Sequence, residues 1–210
     1  MEIKQDIIVE SSFSLKGIYQ GHYNITYKGV PCLKCPNDYV IYQMILNEIR
    51  PDLIIEIGTN LGGSALYMAD LLDSIGNGII HTIDIYDRSE LAAKQHARIQ
   101  FFHNGWEEYN LSLATNYENV LVIEDSSHHY ENTFRVIEKF APIVTKDSYL
   151  IVEDGIIDEL EFSEEFGGGP VKAIKEFLLL HPEFIIEEKW TNMFGENATF
   201  NTMGYLKKTK

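Results

Sequence analysis

The 210-residue sequence is poor in basic residues, in cysteine and in long apolar runs. Only 17 Lys and Arg stand against 32 Asp and Glu, which gives a formal net charge of -15. This balance argues against a nucleic-acid substrate and against an anionic membrane surface, because both attract proteins through Lys and Arg. No apolar run reaches the length of a transmembrane helix, and the N-terminus lacks the features of a signal peptide. We therefore expect a cytoplasmic protein.

The two cysteines, Cys32 and Cys35, form a single Cys-x-x-Cys segment. A structural zinc site needs four ligands, and the sequence has no second pair of this kind. A redox pair usually opens a helix after a strand, whereas Pro36 follows the second cysteine here. We interpret the pair as two thiols in an ordered N-terminal segment.

The length favours one domain, and strands and helices alternate along most of it. Residues 1–36 contain several glycine and proline breakers and are expected to form an irregular or hairpin-bearing arm, which could pack across a homo-oligomer. Residues 37–210 are predicted to form a Rossmann-like α/β domain with a doubly wound, mostly parallel sheet. The predicted helices are 38–50, 64–72, 90–96, 106–115, 130–140 and 171–180. The predicted strands are 53–57, 79–83, 98–102, 120–123 and 149–152, with a closing antiparallel pair at 184–188 and 203–207.

A glycine-rich turn between the strand at 53–57 and the following helix is the most informative motif. Its glycines fall as G-x-x-x-G-G, which is not the G-x-G-x-x-G pattern of dinucleotide sites. Glu56 lies two residues before Gly58, where it would repel a pyrophosphate but attract an α-amino group or a sulfonium. The turn therefore favours S-adenosylmethionine over NAD, although a tight strand-to-helix turn in any α/β protein is the alternative.

Acidic residues follow three further strands directly. Ligands bind beyond the carboxyl ends of strands in doubly wound sheets, so these acids are expected at one edge. Asp84 lies about 20 residues beyond the turn, where an acid can accept both ribose hydroxyls of a nucleoside. Asp125, Glu153 and Asp154 would repel one another unless a cation bridges them, and oxygen ligands suit magnesium, manganese or calcium. Solvated loop acids are the alternative.

A histidine pair follows the first of the metal carboxylates. His128 lies three residues after Asp125, and its pKa near neutrality suits a general base. His129 is expected to have a lesser, packing or capping role. Trp106, directly after Gly105, could flank an adenine ring, or it could be a core residue.

These motifs together resemble the cephalosporin hydroxylase and rhamnosyl O-methyltransferase family of metal-dependent S-adenosylmethionine methyltransferases. The chain is also similar to macrolide-sugar O-methyltransferases. The resemblance covers roughly residues 17–207, and the matching stretches are 50–59 (RPDLIIEIGT), 62–65 (GGSA), 125–128 (DSSH), 149–154 (YLIVED) and 204–206 (GYL). It implies Asp125, Glu153 and Asp154 as magnesium ligands and His128 as the base. The chain departs from the family at Trp106, where a small residue is frequent, and in its short length.

We therefore predict a magnesium-dependent O-methyltransferase that acts on a hydroxyl of a small molecule, such as a sugar or a natural product. A metal-dependent hydroxylase component and a non-catalytic accessory protein on the same fold are the alternatives. The loop at 156–169 could act as a lid or be a plain surface loop. The predicted cofactor-binding residues are Glu56, Gly58, Thr59, Gly62, Ser64, Asp84, Gly105, Trp106 and Asp125.

Overall fold

The computed structural model describes residues 14–210, so the predicted arm is described only from residue 14 onward. It begins with helix α1 (Leu15–His22), which the sequence did not predict because Gly17 and Gly21 suggested breaks. The Ser14 side chain accepts a hydrogen bond from the Gly17 backbone amide, which satisfies one free donor at the start of the helix. The expected hairpin follows as β1 (Thr26–Tyr27) and β2 (Val30–Pro31). The domain boundary at residue 36 stays a prediction.

The remaining elements alternate as the sequence indicated. The helices are α2 (Pro36–Ile49), α3 (Gly63–Ile75), α4 (Leu91–Lys94), α5 (Tyr130–Phe140), α6 (Gly169–Leu180) and α7 (Glu188–Thr191). The strands are β3 (Leu53–Ile57), β4 (Ile79–Ile83), β5 (Ile99–Phe102), β6 (Val120–Glu124), β7 (Tyr149–Val152), β8 (Phe184–Ile186) and β9 (Tyr205–Lys208). Short 3-10 helices lie at Leu111–Ala114, Ala141–Ile143 and Gly155–Ile157. None of the described helices is long and apolar enough to cross a membrane.

Seven strands form one sheet in the order β5-β4-β3-β6-β7-β9-β8. The first five strands in this order are parallel, and β9 runs antiparallel to both β7 and β8. The doubly wound, mostly parallel fold with an antiparallel C-terminal pair is therefore confirmed. The chain order reverses between β3 and β6, and ligands bind outside the carboxyl ends of strands at such a point.

The core lies on both faces of this sheet. Every residue of β3, β6 and β7 is buried, which explains why these strands are almost continuous apolar runs rather than alternating ones. Helices α2 and α3 cover one face, and α5 and α6 cover the other. The strand ends that carry the predicted site are thus fixed by helices on both sides.

The predicted helix at 106–115 is wrong. The structure has turns there and only the 3-10 helix Leu111–Ala114. Trp106, Tyr109 and Ala114 are each buried, but they enter the core from a folded loop rather than from one helical stripe. Lys139 of α5 donates hydrogen bonds to the carbonyl oxygens of Trp106 and Glu107 at 2.9 and 2.6 Å. The loop therefore obtains from another helix the hydrogen bonds that a helix would have made internally.

Candidate functional site

A cavity of about 540 Å³ lies at the carboxyl ends of β3, β4 and β6. It is bordered by the turn after β3, by the residues that follow β4 and β6, and by α1 from the N-terminal segment. Most of the predicted site residues line it, namely Gly58, Thr59, Ser64, Asp84, Gly105, Trp106, Asp125, His128 and Asp154. Glu56, Gly62 and Glu153 are not part of its wall.

Gly58 brings the end of β3 against the end of β6. Its φ is 108°, and an added Cβ would lie 1.8 Å from the carbonyl oxygen of Asp125. Its amide donates a hydrogen bond of 2.9 Å to the carbonyl oxygen of Ile83, at the end of β4. A side chain is therefore excluded at this position by contact as well as by backbone conformation. The glycine sets how closely the turn approaches Asp125.

Glu56 lies beneath the turn instead of facing the cavity. Its side chain is fully buried and accepts hydrogen bonds from the hydroxyls of Ser64 and Thr82, the latter at 2.6 Å. Burial raises the pKa of Glu56 to about 7, although both hydrogen bonds act in the opposite direction. The carboxyl group thus ties the first turn of α3 to β4. Gly62 has a φ of 85° and is the N-cap residue directly before α3.

Asp84, directly after β4, and Trp106, in the loop after β5, both line the cavity. The Asp84 carboxylate accepts backbone hydrogen bonds from Asn60 at 2.9 Å and from Tyr86 at 3.1 Å. These contacts connect the glycine turn to the end of β4 and hold the carboxylate at the cavity. The Trp106 indole is 8% exposed and donates a hydrogen bond of 3.1 Å to the Asn132 side chain. Trp106 is therefore both a core residue and a wall residue.

Asp125, His128 and Asp154 form a compact group in the cavity. Each offers one potential ligand atom, and these three atoms lie within 4.8 Å of one another. His128 Nε2 is 3.3 Å from Asp154 Oδ2. His128 and Asp154 both have a φ of 58°, which is uncommon for residues other than glycine and concentrates backbone strain at this point. The two carboxylates supply oxygen ligands that fit a divalent cation such as Mg²⁺ or Mn²⁺, and the imidazole lies beside them.

The two neighbouring histidines both precede α5, but only one of them lines the cavity. His128 lines the cavity, whereas His129 is exposed and occupies the position just before the helix. The His129 ring packs against Phe166 with a centroid distance of 5.1 Å. Both histidines precede the helix, so the left-handed backbone of His128, rather than a helical turn, separates their side chains.

Glu153 is held by a lysine that the sequence did not single out. Lys34, from the segment after β2, is 3% exposed and donates to Asp125 Oδ2 at 3.0 Å and to Glu153 Oε1. The Tyr42 hydroxyl donates to the same Glu153 oxygen at 2.6 Å. Lys34 therefore lies inside the predicted metal cluster. Nothing in the spacing of the sequence indicated this, because Lys34 belongs to no periodic element.

Burial and the neighbouring charges shift the pKa values of the groups in this cluster. Burial raises the pKa of Asp125, Glu153 and Asp154, and repulsion among these carboxylates acts in the same direction. Burial alone would lower the pKa of Lys34, but Asp125 and Glu153 more than offset it, so that pKa lies well above its usual value. His128 follows the same logic, because burial is outweighed by the nearby carboxylates and its pKa is raised. The cluster thus favours bound cations and protonated bases.

Aromatic side chains cover the side of the cavity next to His128. Tyr19 and His22 of α1 line it together with Tyr23, the residue directly after α1, and Phe166 of the 156–169 loop. Tyr23 is 57% exposed, so much of its ring remains open to a ligand. The Tyr19 ring packs against Phe162 of the same loop with a centroid distance of 6.1 Å. The sequence missed this wall because it depends on contact between α1 and a loop more than a hundred residues away.

The other candidate ligand groups are two cysteine thiols and a second group of acidic residues with a histidine. Both cysteine thiols are free and buried, and burial raises the pKa of Cys32 to about 11. This agrees with their interpretation as ordered thiols. Asp70, Asp73 and His96 form a second group of potential ligand atoms. Lys28 and Arg98 already pair with its two carboxylates.

The sequence has clear relatives. A family model described as Rhamnosyl O-methyltransferase/CmcI matches residues 19–209. A rhamnosyl O-methyltransferase of Mycobacterium leprae is 31% identical over 202 residues, which cover 90% of this chain and 86% of the relative. A protein of the same name from Mycobacterium bovis is 30% identical over 190 residues, with 86% and 77% coverage.

Solved structures share the fold at lower identity. A structure of CmcI with SAH has a TM-score of 0.71 at 19% identity and covers 100% of this chain and 96% of its own. A structure of CmcI with Mg and SAM has a TM-score of 0.68 at 19% identity, with 100% and 88% coverage. An O-methyltransferase from Bacillus cereus in complex with SAH has a TM-score of 0.57 at 18% identity, with 85% and 84% coverage.

Proposed function

The chain belongs to the Rhamnosyl O-methyltransferase/CmcI family, and we propose that its cavity methylates a hydroxyl group of a small molecule with S-adenosylmethionine as donor and magnesium as cofactor. As a family member it is an S-adenosylmethionine-dependent O-methyltransferase. One observation carries the assignment to this site: a glycine turn, two carboxylates and a histidine meet in a single cavity at the switch point of the sheet. The assignment of individual residues below is part of the proposal.

The donor is proposed to lie along the turn after β3. The Asp84 carboxylate, already oriented by two backbone amides, is placed to accept the ribose hydroxyls. Gly58 and Thr59 present backbone at close range to the amino-acid part of the donor. Gly105 and Trp106 form the wall proposed for the adenine ring. Glu56 and Ser64 support the turn from below through their hydrogen bond.

The metal is proposed to bind at the carboxylate cluster. Asp125 and Asp154 face the cavity, and Glu153 is the third proposed ligand, with its Oε1 atom held by Lys34 and Tyr42. When bound there, Mg²⁺ would lower the pKa of an acceptor hydroxyl, as divalent ions do for bound water. The carboxylates supply the hard oxygen ligands that this ion prefers.

His128 is the proposed general base. It takes the proton from the acceptor hydroxyl onto a ring nitrogen as that oxygen forms its bond to the methyl carbon and the carbon–sulfur bond of the donor breaks. The carboxylate of Asp154, 3.3 Å from His128 Nε2, stabilises the imidazolium that results. Otherwise the protein contributes mainly by positioning the two reactants.

The acceptor is proposed to be a sugar or a similar hydroxylated ring. Two relatives are named rhamnosyl O-methyltransferases, and the aromatic wall of Tyr19, Tyr23 and Phe166 offers flat apolar surface beside His128. A formal net charge of -15 supports a neutral small molecule rather than a nucleic acid. The hydroxylase alternative would need two histidines and one carboxylate at one metal, and His129 lies outside the cavity. A cytoplasmic location and a homo-oligomer stay predictions.

The test compares the two histidines. His128→Ala should lower the rate of methyl transfer roughly 10²–10⁴-fold, the usual contribution of a positioned base. Binding of S-adenosylmethionine, measured by calorimetry, should be retained, because the base contacts the acceptor and not the donor. His129→Ala is the matched control and should cost little. Normal turnover by the His128 variant, or loss of activity in the His129 variant instead, would contradict the proposed base.

A further inference from the structure

Among the described residues, Lys34 is a buried cation at the cavity, and its side chain is surrounded by carboxylates. Its side chain is 3% exposed, and its ammonium group pairs with two carboxylates from different strand ends, Asp125 after β6 and Glu153 after β7. Its ammonium nitrogen also lies 5.4 Å from the centre of the Tyr42 ring. A buried lysine requires compensation of its charge, and these two ion pairs provide it.

The position of Lys34 changes the charge of the cluster. Asp125, Glu153 and Asp154 carry three formal negative charges when ionised, and the Lys34 ammonium group adds one positive charge beside them. The Lys34 ammonium group also donates a hydrogen bond to one oxygen each of Asp125 and Glu153, which are two of the proposed metal ligands.

We propose that Lys34 is a built-in counter-cation of the metal site, which holds the carboxylates together in the metal-free chain and weakens the binding of the metal. This inference rests on the proposed metal site. Two cations that share carboxylates in a poorly solvated cluster repel each other strongly. The ammonium group therefore stabilises the fold without metal at the expense of metal affinity. The metal would then be bound loosely enough to exchange.

Lys34→Met tests this directly, because methionine has a similar length but no charge. Without metal, the variant should unfold at a lower temperature than the wild type, since the carboxylates of Asp125 and Glu153 lose their partner. Saturating Mg²⁺ should raise the melting temperature of the variant more than that of the wild type. Titration of the full chain with Mg²⁺ or Mn²⁺ alone, without donor, should give a Kd at least ten-fold lower for the variant.

Two further variants separate charge from packing. Tyr42→Phe removes the other donor to Glu153 Oε1 without changing any charge, so its Kd for Mg²⁺ should stay within about three-fold of the wild type. Lys34→Arg keeps the charge and should also retain weak metal binding. A lysine that served packing alone would lower stability equally with and without metal. Only the charge role predicts that metal reverses the loss.

The outcomes distinguish this inference from the proposed function. If the wild type binds metal and Lys34→Met binds it with equal or lower affinity, the proposed role of Lys34 is wrong and the metal site remains intact. Absence of metal binding in both proteins would overturn the metal site, and the inference with it. If Lys34→Met is unfolded in chelator but folds when Mg²⁺ is added, the inference is supported. If it stays unfolded with Mg²⁺, the inference is wrong.

Discussion

Replacement of Gly58 by alanine tests whether the contact between β3 and β6 shapes the site. The added Cβ would lie 1.8 Å from the carbonyl oxygen and 2.6 Å from the carbonyl carbon of Asp125. Ordinary van der Waals contact begins near 3.4 Å, so the two strand ends must separate by more than an ångström. Because the contact is with backbone, no side-chain rotation can relieve it.

The cost has two parts. A non-glycine residue at positive φ costs about 1–2 kcal/mol, and forcing extra volume into a packed site costs typically 1–3 kcal/mol more. We therefore expect Gly58→Ala to lower the free energy of unfolding by about 2–5 kcal/mol. For a chain of this size that corresponds to a fall in melting temperature of roughly 4–20 °C. Displacement of Asp125 should also weaken binding of S-adenosylmethionine and Mg²⁺.

Gly76→Ala is the matched control, measured by denaturant unfolding and by calorimetric titration. Gly76 ends α3 with a φ of 82°, and nothing lies within 4 Å of an added Cβ. Its replacement should carry only the backbone part, about 1–2 kcal/mol, and should leave ligand affinity unchanged. Equal stability of the two variants, or unchanged ligand binding in Gly58→Ala, would refute the reasoning from close approach.

Two further predictions concern the donor and the pH dependence of stability. Asp84→Ala should weaken binding of S-adenosylmethionine by one to two orders of magnitude in calorimetry, given about 1.5–3 kcal/mol for hydrogen bonds to a charged group; unchanged affinity would contradict the ribose contact. Burial raises the pKa of Asp38 to about 7, against hydrogen bonds from Thr199 and Phe200. A carboxyl group whose pKa is higher in the folded chain than in the unfolded chain contributes stability that is fully present below the unfolded pKa. This contribution is lost as pH rises through the folded pKa, so wild-type stability should fall between about pH 4 and 7. The stability advantage of wild type over Asp38→Asn, followed by thermal unfolding, should therefore shrink by a few kcal/mol over that window, and a constant difference would argue against it.

The sequence by itself determined those strands and the one helix whose local apolar pattern is strong. Residues 53–57, 79–83 and 149–152 were predicted with the bounds that the structure gives them, because each is an apolar run between turn residues. Helix α5 was also predicted at 130–140, where apolar residues repeat on one side. The rule that strand ends share one edge then brought Asp84, Asp125 and Asp154 to one cavity without any knowledge of contacts.

Only the tertiary structure decided which side chains face that cavity. Glu56 stands directly before the glycine turn, yet hydrogen bonds with Ser64 and Thr82 hold it beneath the wall. Lys34 reaches Asp125 and Glu153 across 91 and 119 residues of sequence. Contacts at such separations depend on how the N-terminal segment packs on the finished sheet. Periodicity records only which face of an element is apolar, so it carries no information about a single buried charge that arrives from another part of the chain.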